Sequence, residues 1–412
     1  MPITHFTEKF FKLKAEFIKD HIINESKQEY ILDVQLPVKA HKCPCCNEKT
    51  TQIKNYRLRK VELGIQYNYT IIARYNHRRY ICKSCGKSFS ESNPFVKRYQ
   101  QLSTLFKHYL IESLGETLSY TAIAKRFNVS ITTVIRYLEK MKLAKPSKLP
   151  VVLSIDKFKG NAAGQKYQVI LTDRQSGTII DILPKRDTKA IEEYLRSFNR
   201  KKRRAVRFVV MDMSVQFRSI MEKIFTWAHI VADRFHVVRL VNWALENVRK
   251  PEQKTLTNYS KTLKQNKKVL LKHYTKLTDE EKNKLTEILN AFYDIWMAYS
   301  LKLRFGWLKR TYGKDKIDNY ISHWLERVRA SKLDEFSHLL KTFNTWRTPV
   351  VNAFLLPFSN GFTEGCNNKI KVLKRISYGL RNFERFRVRI LILGAKMAPV
   401  AKKQLMPKSV HS

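Results

Sequence analysis

Two stretches of this chain are almost wholly apolar and then end on an aspartate. One is Val151-Val152-Leu153-Ser154-Ile155-Asp156, the other Val209-Val210-Met211-Asp212. Runs of this length and composition read as buried strands. A charged carboxylate at the end of one is costly unless it is paired or bound to metal. Two such aspartates on neighbouring strands are what a Mg²⁺ (or Mn²⁺) pair requires. Hard oxygen ligands hold two ions about 3.5–4 Å apart, clamping the attacking and leaving oxygens of a phosphodiester.

The surrounding pattern is consistent with such a sheet. Tyr167-Gln168-Val169-Ile170-Leu171 and Thr178-Ile179-Ile180-Asp181-Ile182-Leu183 carry the same strand signal, with a turn from Asp173 to Gly177. A helix follows from Ala190 to Phe198, then a strand from Val206 to Met211. A helix around Phe217 to Phe225 and a strand from His229 to Ala232 complete the set. Three strands, helix, strand, helix, strand is the order of an α/β RNase H-like core, assigned to residues 151–236. Residues 237–350 are rich in Lys, Leu and aromatics without a strand pattern and read as an all-helical insertion. Residues 351–400 then return to the core. No internal repeat at a fixed period is present.

Charge points to the partner. Lys and Arg number 79 against 35 Asp and Glu, a net charge of +44 with a pI near 10.1. The excess runs the length of the chain, as expected of a protein that neutralises many phosphates and releases their counterions. Double-stranded DNA is the expected partner. With 43% hydrophobic residues over 412, the chain can bury two or three domains. No apolar run is long enough to span a membrane, and Met1 to Lys14 lacks a signal peptide's apolar core. The expected location is cytoplasmic and nucleoid-associated, where cysteines serve more often as metal ligands or free thiols than as disulfides.

An amphipathic lead-in, residues 1–40, precedes a zinc-binding domain over 41–98. Cys43-x2-Cys46 and Cys82-x2-Cys85 supply four soft ligands from two tight turns, which suits one structural Zn²⁺. Cys45 lies inside the first pair and competes as a ligand. Short strands are expected around Tyr67 to Tyr75. Arg57, Arg59, Lys60, Arg74, His77, Arg78 and Arg79 surround the cluster as phosphate contacts, Arg78 and Arg79 foremost. Residues 99–146 read as a helix-turn-helix: Ser119 caps the first helix, Asn128 takes the turn and Ser130 caps the second. The second helix would offer Ile131, Thr132, Thr133 and Arg136 to a major groove. Pro146 and Pro150 mark a linker.

The third carboxylate is Glu364, in Gly361-Phe362-Thr363-Glu364-Gly365-Cys366-Asn367-Asn368-Lys369. On a helix beginning near Thr363, Lys371 lies two turns on and Arg375 one further, so the carboxylate would face metal while the cations face phosphate. The basic tract, with Lys369, Lys371, Lys374 and Arg375, runs on through Tyr378-Gly379 with aromatics interleaved. Asp233, after the short strand ending at Ala232, rivals Asp212; its plainer role is a helix cap or a partner for Arg234. Asp181 is expected on an exposed strand face. His236 either assists the chemistry or is an ordinary packed histidine.

Taken together, these motifs resemble the ISL-three family of insertion-sequence transposases over essentially the whole chain. The likeness lies in the two cysteine pairs, the helix-turn-helix, Ser154-Ile155-Asp156, Val210-Met211-Asp212-Met213-Ser214 and Ala232-Asp233-Arg234-Phe235-His236. The Glu364-Gly365-x-Asn367-Asn368-Lys369-Ile370-Lys371 block is the most specific. The resemblance implies a DDE transposase whose acidic triad is Asp156, Asp212 and Glu364. It also implies water-driven cleavage at transposon ends, then attack of a 3′ hydroxyl on target DNA without a covalent enzyme intermediate. Terminal inverted repeats would be read by the zinc and helix-turn-helix modules, and a homodimer would act on paired ends. Lys157 departs from the family's usual acid. The alternatives are a DNA-binding regulator derived from a transposase and an RNase H-like nuclease.

Overall fold

The computed structural model describes residues 13–96, 100–141, 143–255, 257–377 and 380–397. The first twelve residues of the lead-in and Tyr378-Gly379 of the basic tract lie outside them. The chain divides into two compact units: residues up to 143 with 372–380 and 384–396, and residues 144–371 with 381–383.

In the first unit β1 (Ile18–Asn24) and β2 (Glu29–Val34) form an antiparallel hairpin from what the sequence marks only as an amphipathic lead-in. Short β3 (His41–Lys42) and β4 (Lys49–Thr50) pair with each other. Long β5 (Ile53–Gln66) and β6 (Tyr69–Ile81) form a second hairpin, and β7 (Ser88–Ser90) joins β6. Tyr67 and Asn68 turn it with φ of 48° and 69°, the positive pair that a tight two-residue hairpin turn demands. The strands are longer than expected because Lys54 to Leu58 are all exposed, leaving no alternation to read. One sheet runs in the order β1-β2-β6-β5, and Leu32, Val61, Leu63, Ile71, Ala73 and Tyr75 fill its core.

Helices α1 (Thr104–Leu114), α2 (Tyr120–Arg126) and α3 (Ile131–Lys140) follow. The helix-turn-helix signals hold in detail. Ser119 accepts from Ala122 N–H at 3.0 Å, Ser130 from Thr133 N–H at 3.2 Å, and Asn128 takes φ 47°. The two serines are side-chain caps, each satisfying an otherwise unpaired helix N–H.

The second unit is built on β8 (Val152–Phe158), β9 (Gln168–Asp173), β10 (Thr178–Leu183), β11 (Phe208–Met211) and β12 (His229–Ala232), ordered β10-β9-β8-β11-β12. β8, β11 and β12 are parallel, while β9 and β10 run antiparallel. Helices α4 (Thr188–Arg196), α5 (Arg200–Arg204) and α6 (Val215–Ile224) make the crossovers. The element order is therefore the one the apolar runs imply.

From α7 (Arg234–Thr255) the chain is helical through α8 (Thr257–Gln265), α9 (Lys267–Leu271), α10 (Asp279–Ala291), α11 (Tyr293–Gly306), α12 (Lys314–Ala330), α13 (Asp334–Thr345), α14 (Arg347–Leu355) and α15 (Gly361–Ile376). Helices α7 to α14 share one apolar core with the sheet, running from Val210 and Phe217 through Val241 and Ile295 to Trp324 and Phe343. Asn352 of α14 donates to the Ile230 carbonyl of β12 at 2.8 Å, fixing the approach to α15.

The last helix, α16 (Phe383–Met397), groups largely with the first unit rather than with the α/β core assigned to it from sequence. Val388 enters the core of α1–α3. Arg389, fully buried, donates to the carbonyls of Leu114 (3.1 Å), Glu116 (3.4 Å) and Leu118, and lies 4.7 Å over the Tyr120 ring. Arg385 pairs with Glu139 of α3.

Candidate functional site

The three parallel strands run in register, although β8 continues to Phe158 while β11 and β12 stop at Met211 and Ala232. Met211 faces Ile155 on one side and Ala232 on the other, so Asp156, inside β8, comes level with Asp212 and Asp233, each one residue past its strand. They lie toward the carboxyl ends of these strands, where open α/β sheets place their ligands. Three ties hold the start of α15 against them. Asn360 N–H donates to Asp233 Oδ1 (3.1 Å), the Thr363 hydroxyl bonds that of Thr172 on β9 (2.7 Å), and Asn367 Nδ2 donates to Asp156 Oδ2 (2.9 Å). Glu364 occupies the exposed side of that same turn.

The electrostatics differ from one aspartate to the next. Burial pushes the Asp156 carboxyl up to about 6; the Lys157 amide, 2.8 Å from Oδ1, pulls against it, and the Asp212 charge pushes with it. Asp212 is buried, with Lys157 Nζ 3.5 Å from Oδ2 and Oδ1 without a hydrogen-bond donor. Asn367 Oδ1 is likewise buried without a donor. Unanswered acceptor oxygens in a buried site are unusual, and oxygen-rich sites of this kind suit a hard cation.

Asp233, the rival, has both oxygens engaged. Burial raises its carboxyl, but hydrogen bonds from His236 (Nδ1 at 2.7 Å) and the Asn360 amide outweigh that and hold it below the usual range. Its partner is His236 rather than Arg234, which donates to the Ala353 and Leu356 carbonyls. Asp181, expected on an exposed face, is buried and accepts from Tyr194. Asn367 and Thr363 escaped the sequence reading. Their signal was periodicity, since Thr363, Cys366, Asn367 and Ile370 form the buried face of α15, and two polar residues on such a face call for polar partners.

In the first unit Cys43, Cys46, Cys82 and Cys85 have sulfurs all within 4.8 Å of one another. Among the described residues this is the one group of three or more histidine, cysteine or carboxylate ligands gathered so closely. Cys43–Cys85 and Cys46–Cys82 are 3.5 Å apart, near the roughly 3.8 Å edge of a tetrahedron with 2.3 Å zinc–sulfur bonds. The turns are built alike. Asn47 and Gly86, each just after a pair, take φ 62° and 68° and return their amides to the Cys43 and Cys82 carbonyls. Backbone amides of Cys46 and Cys85 lower the Cys43 and Cys82 thiols, the latter to about 6. Cys45 gives its amide to Cys43 Sγ (3.4 Å) and its own sulfur stays outside the cluster.

Two expected DNA contacts behave differently from their neighbours. Arg78 is buried, donating to the Leu36 and Pro37 carbonyls and paired with Glu91 at 3.5 Å, so its guanidinium ties the lead-in rather than facing phosphate. Thr133 is half-buried and shares a hydrogen bond with the Ser130 hydroxyl (2.9 Å). Arg79, Thr132, Arg136, Lys369, Lys371 and Arg375 are exposed, and Lys374 is half-buried.

A family model described as a transposase matches residues 153–390, and one described as the helix-turn-helix domain of transposase family ISL3 matches residues 91–140. The chain is 22% identical over 366 residues to the transposase for insertion sequence element IS1001 of Bordetella parapertussis, covering 84% of this chain and 87% of that one. It is 24% identical over 244 residues to the transposase for insertion sequence element IS1557 of Mycobacterium tuberculosis, about half of each chain. A 57-residue stretch is 44% identical to an ATP-dependent protease of Lactococcus lactis, but covers only 14% of this chain and cannot speak for the rest. With more than half its length matched, this chain belongs to the ISL3 family of transposases. It is a DDE-type DNA transposase of an insertion sequence, with a DNA-binding helix-turn-helix. No helix among the described residues is long and apolar enough to cross a membrane.

Proposed function

We propose that Asp156, Asp212 and Glu364 form the acidic triad of an RNase H-like catalytic core, and that the observation carrying this is the register of β8 and β11, which sets Asp156 beside Asp212, with α15 bonded to Asp156 through Asn367. Asp156 and Asp212 come from adjacent parallel strands, and Asn367, one turn after Glu364, is bonded to Asp156. The donorless Asp212 and Asn367 oxygens fit hard cations. Two Mg²⁺ or Mn²⁺ ions, when bound, supply Lewis-acid stabilisation of the attacking and leaving oxygens. Asn367 fixes the rotamer of Asp156. Lys157 offsets the Asp212 charge, which explains how a cation is tolerated where the family often has an acid. Lys369, Lys371, Lys374 and Arg375 follow along α15 as phosphate contacts.

The chemistry so supported is water-driven cleavage at the element's ends, followed by transfer of a 3′ hydroxyl to target DNA. One Zn²⁺ on the four cysteines stiffens the β5–β6 module. Arg79, Thr132, Thr133 and Arg136 engage the terminal inverted repeats. The working form is a homodimer on paired ends, acting in the cytoplasm at the nucleoid. The test is Mg²⁺-dependent cleavage of a duplex bearing the element's terminal repeat. Wild type should cut at the repeat boundary, and Glu364→Gln should bind the same duplex without cutting it. Boundary cleavage surviving Glu364→Gln would remove Glu364 from the triad.

A further inference from the structure

The helix that follows Asp233, α7, carries an unusual face. Phe235, Arg239 and Trp243 follow one another at four-residue spacing along α7, so their side chains stack up one side of the helix. The Arg239 guanidinium lies 5.6 Å from the Phe235 ring centroid and 4.7 Å from that of Trp243. Both rings are about half exposed, at 50% and 51%, and Arg239 Nε is buried between them without a hydrogen-bond acceptor. The ladder begins two residues after Asp233. The Phe235 ring is edge-on to His236 at 5.6 Å, and His236 in turn holds Asp233. Farther along the same face stand exposed Asn247 and Lys250, bonded to each other.

We propose that this face is a stacking platform for unpaired nucleotides of the DNA substrate. Aromatic faces take bases of any sequence by stacking, and a guanidinium held between rings adds its own planar face and charge. Base pairs within a duplex have both faces covered, so the occupant is a frayed, nicked or extruded strand, the species present where a strand is being cut. From Phe235 to Trp243 the helix rises about 12 Å, enough for a few nucleotides. The inference rests on the acidic site being the place of strand cleavage. A cation–ring contact made only to stabilise the helix would explain Arg239 and one ring, not two exposed rings flanking it on the helix that follows Asp233.

The test uses the full chain and two probes, a blunt DNA duplex and the same duplex with a short oligothymidine 3′ overhang, read by fluorescence anisotropy. Wild type should prefer the overhang. Trp243→Ala should weaken overhang binding about 5- to 150-fold, the effect of removing one base–aromatic stack. Blunt binding, held by phosphate contacts, should stay within about twofold, which also shows that the variant is folded. Trp243→Phe should restore most of the loss. Equal loss on both probes, or no loss on either, overturns the platform while leaving the transposase reading intact. If wild type binds neither duplex, both fall together.

Discussion

Asp156 offers the sharpest quantitative test of the site, because its burial is unfavourable without metal. Its carboxyl titrates at about 6 in the folded chain against an ordinary 3.8. Two units at about 1.36 kcal/mol each amount to about 3 kcal/mol by which the metal-free chain is destabilised at neutral pH. The sign follows from linkage. A carboxyl raised on folding favours the folded state while protonated, and that advantage is lost as pH climbs from about 4 through about 6. Asp156→Asn removes the charge and keeps the shape. The Lys157 amide retains an oxygen acceptor, and Asn367 can turn its amide over so that Oδ1, now without a donor, accepts from the new side chain. In EDTA near pH 7.5 the variant should resist urea better than wild type by up to about 3 kcal/mol, and the gap should close near pH 4. Added Mg²⁺ should stabilise wild type and not the variant. Urea titrations followed by tryptophan fluorescence measure this directly. A gain that does not change with pH, or a loss near pH 7.5, would refute the idea that the carboxylate itself is the unfavourable group.

Two further outcomes concern the first unit. The purified chain should carry about one zinc, released by chelation or by Cys82→Ser with melting of the module, whereas Cys45→Ser should leave metal content unchanged; colorimetric zinc release decides it. Arg389→Met should strand the Leu114, Glu116 and Leu118 carbonyls and destabilise the helix-turn-helix by at least about 2 kcal/mol, seen as earlier protease cleavage between α1 and α3. An unchanged cleavage pattern would show that those carbonyls find other donors.

How much of this was legible in the sequence depended on whether the signal was local. Ser119, Asn128 and Ser130 could be read because caps and turns are settled within four residues. Asp156 and Asp212 stood out because a charge next to an apolar run is conspicuous wherever the strand goes, although β8 runs on to Phe158 past the aspartate expected to end it. The Asn360, Thr363 and Asn367 ties could not be read, because each joins the start of α15 to a residue in or just past a strand well over a hundred residues earlier, and polar residues in a helix look alike until their partners are known. Arg78 looked like its exposed neighbour Arg79; strand alternation turned one inward to carbonyls and left the other outside. α16 was assigned to the wrong unit because chain order suggests neighbourhood, and Arg389 instead returns to α1.

That return affects how the protein is made. Roughly 250 residues separate Lys140 from Arg389, and at about 5–20 residues per second a ribosome needs on the order of 12 to 50 s to cross them. For that interval the module that reads DNA lacks its last buried arginine, while every strand of the catalytic sheet is being synthesised. A chain abandoned midway would then be a poor competitor for the element's ends. Full-strength DNA reading arrives only with polypeptides that already possess the means to cut.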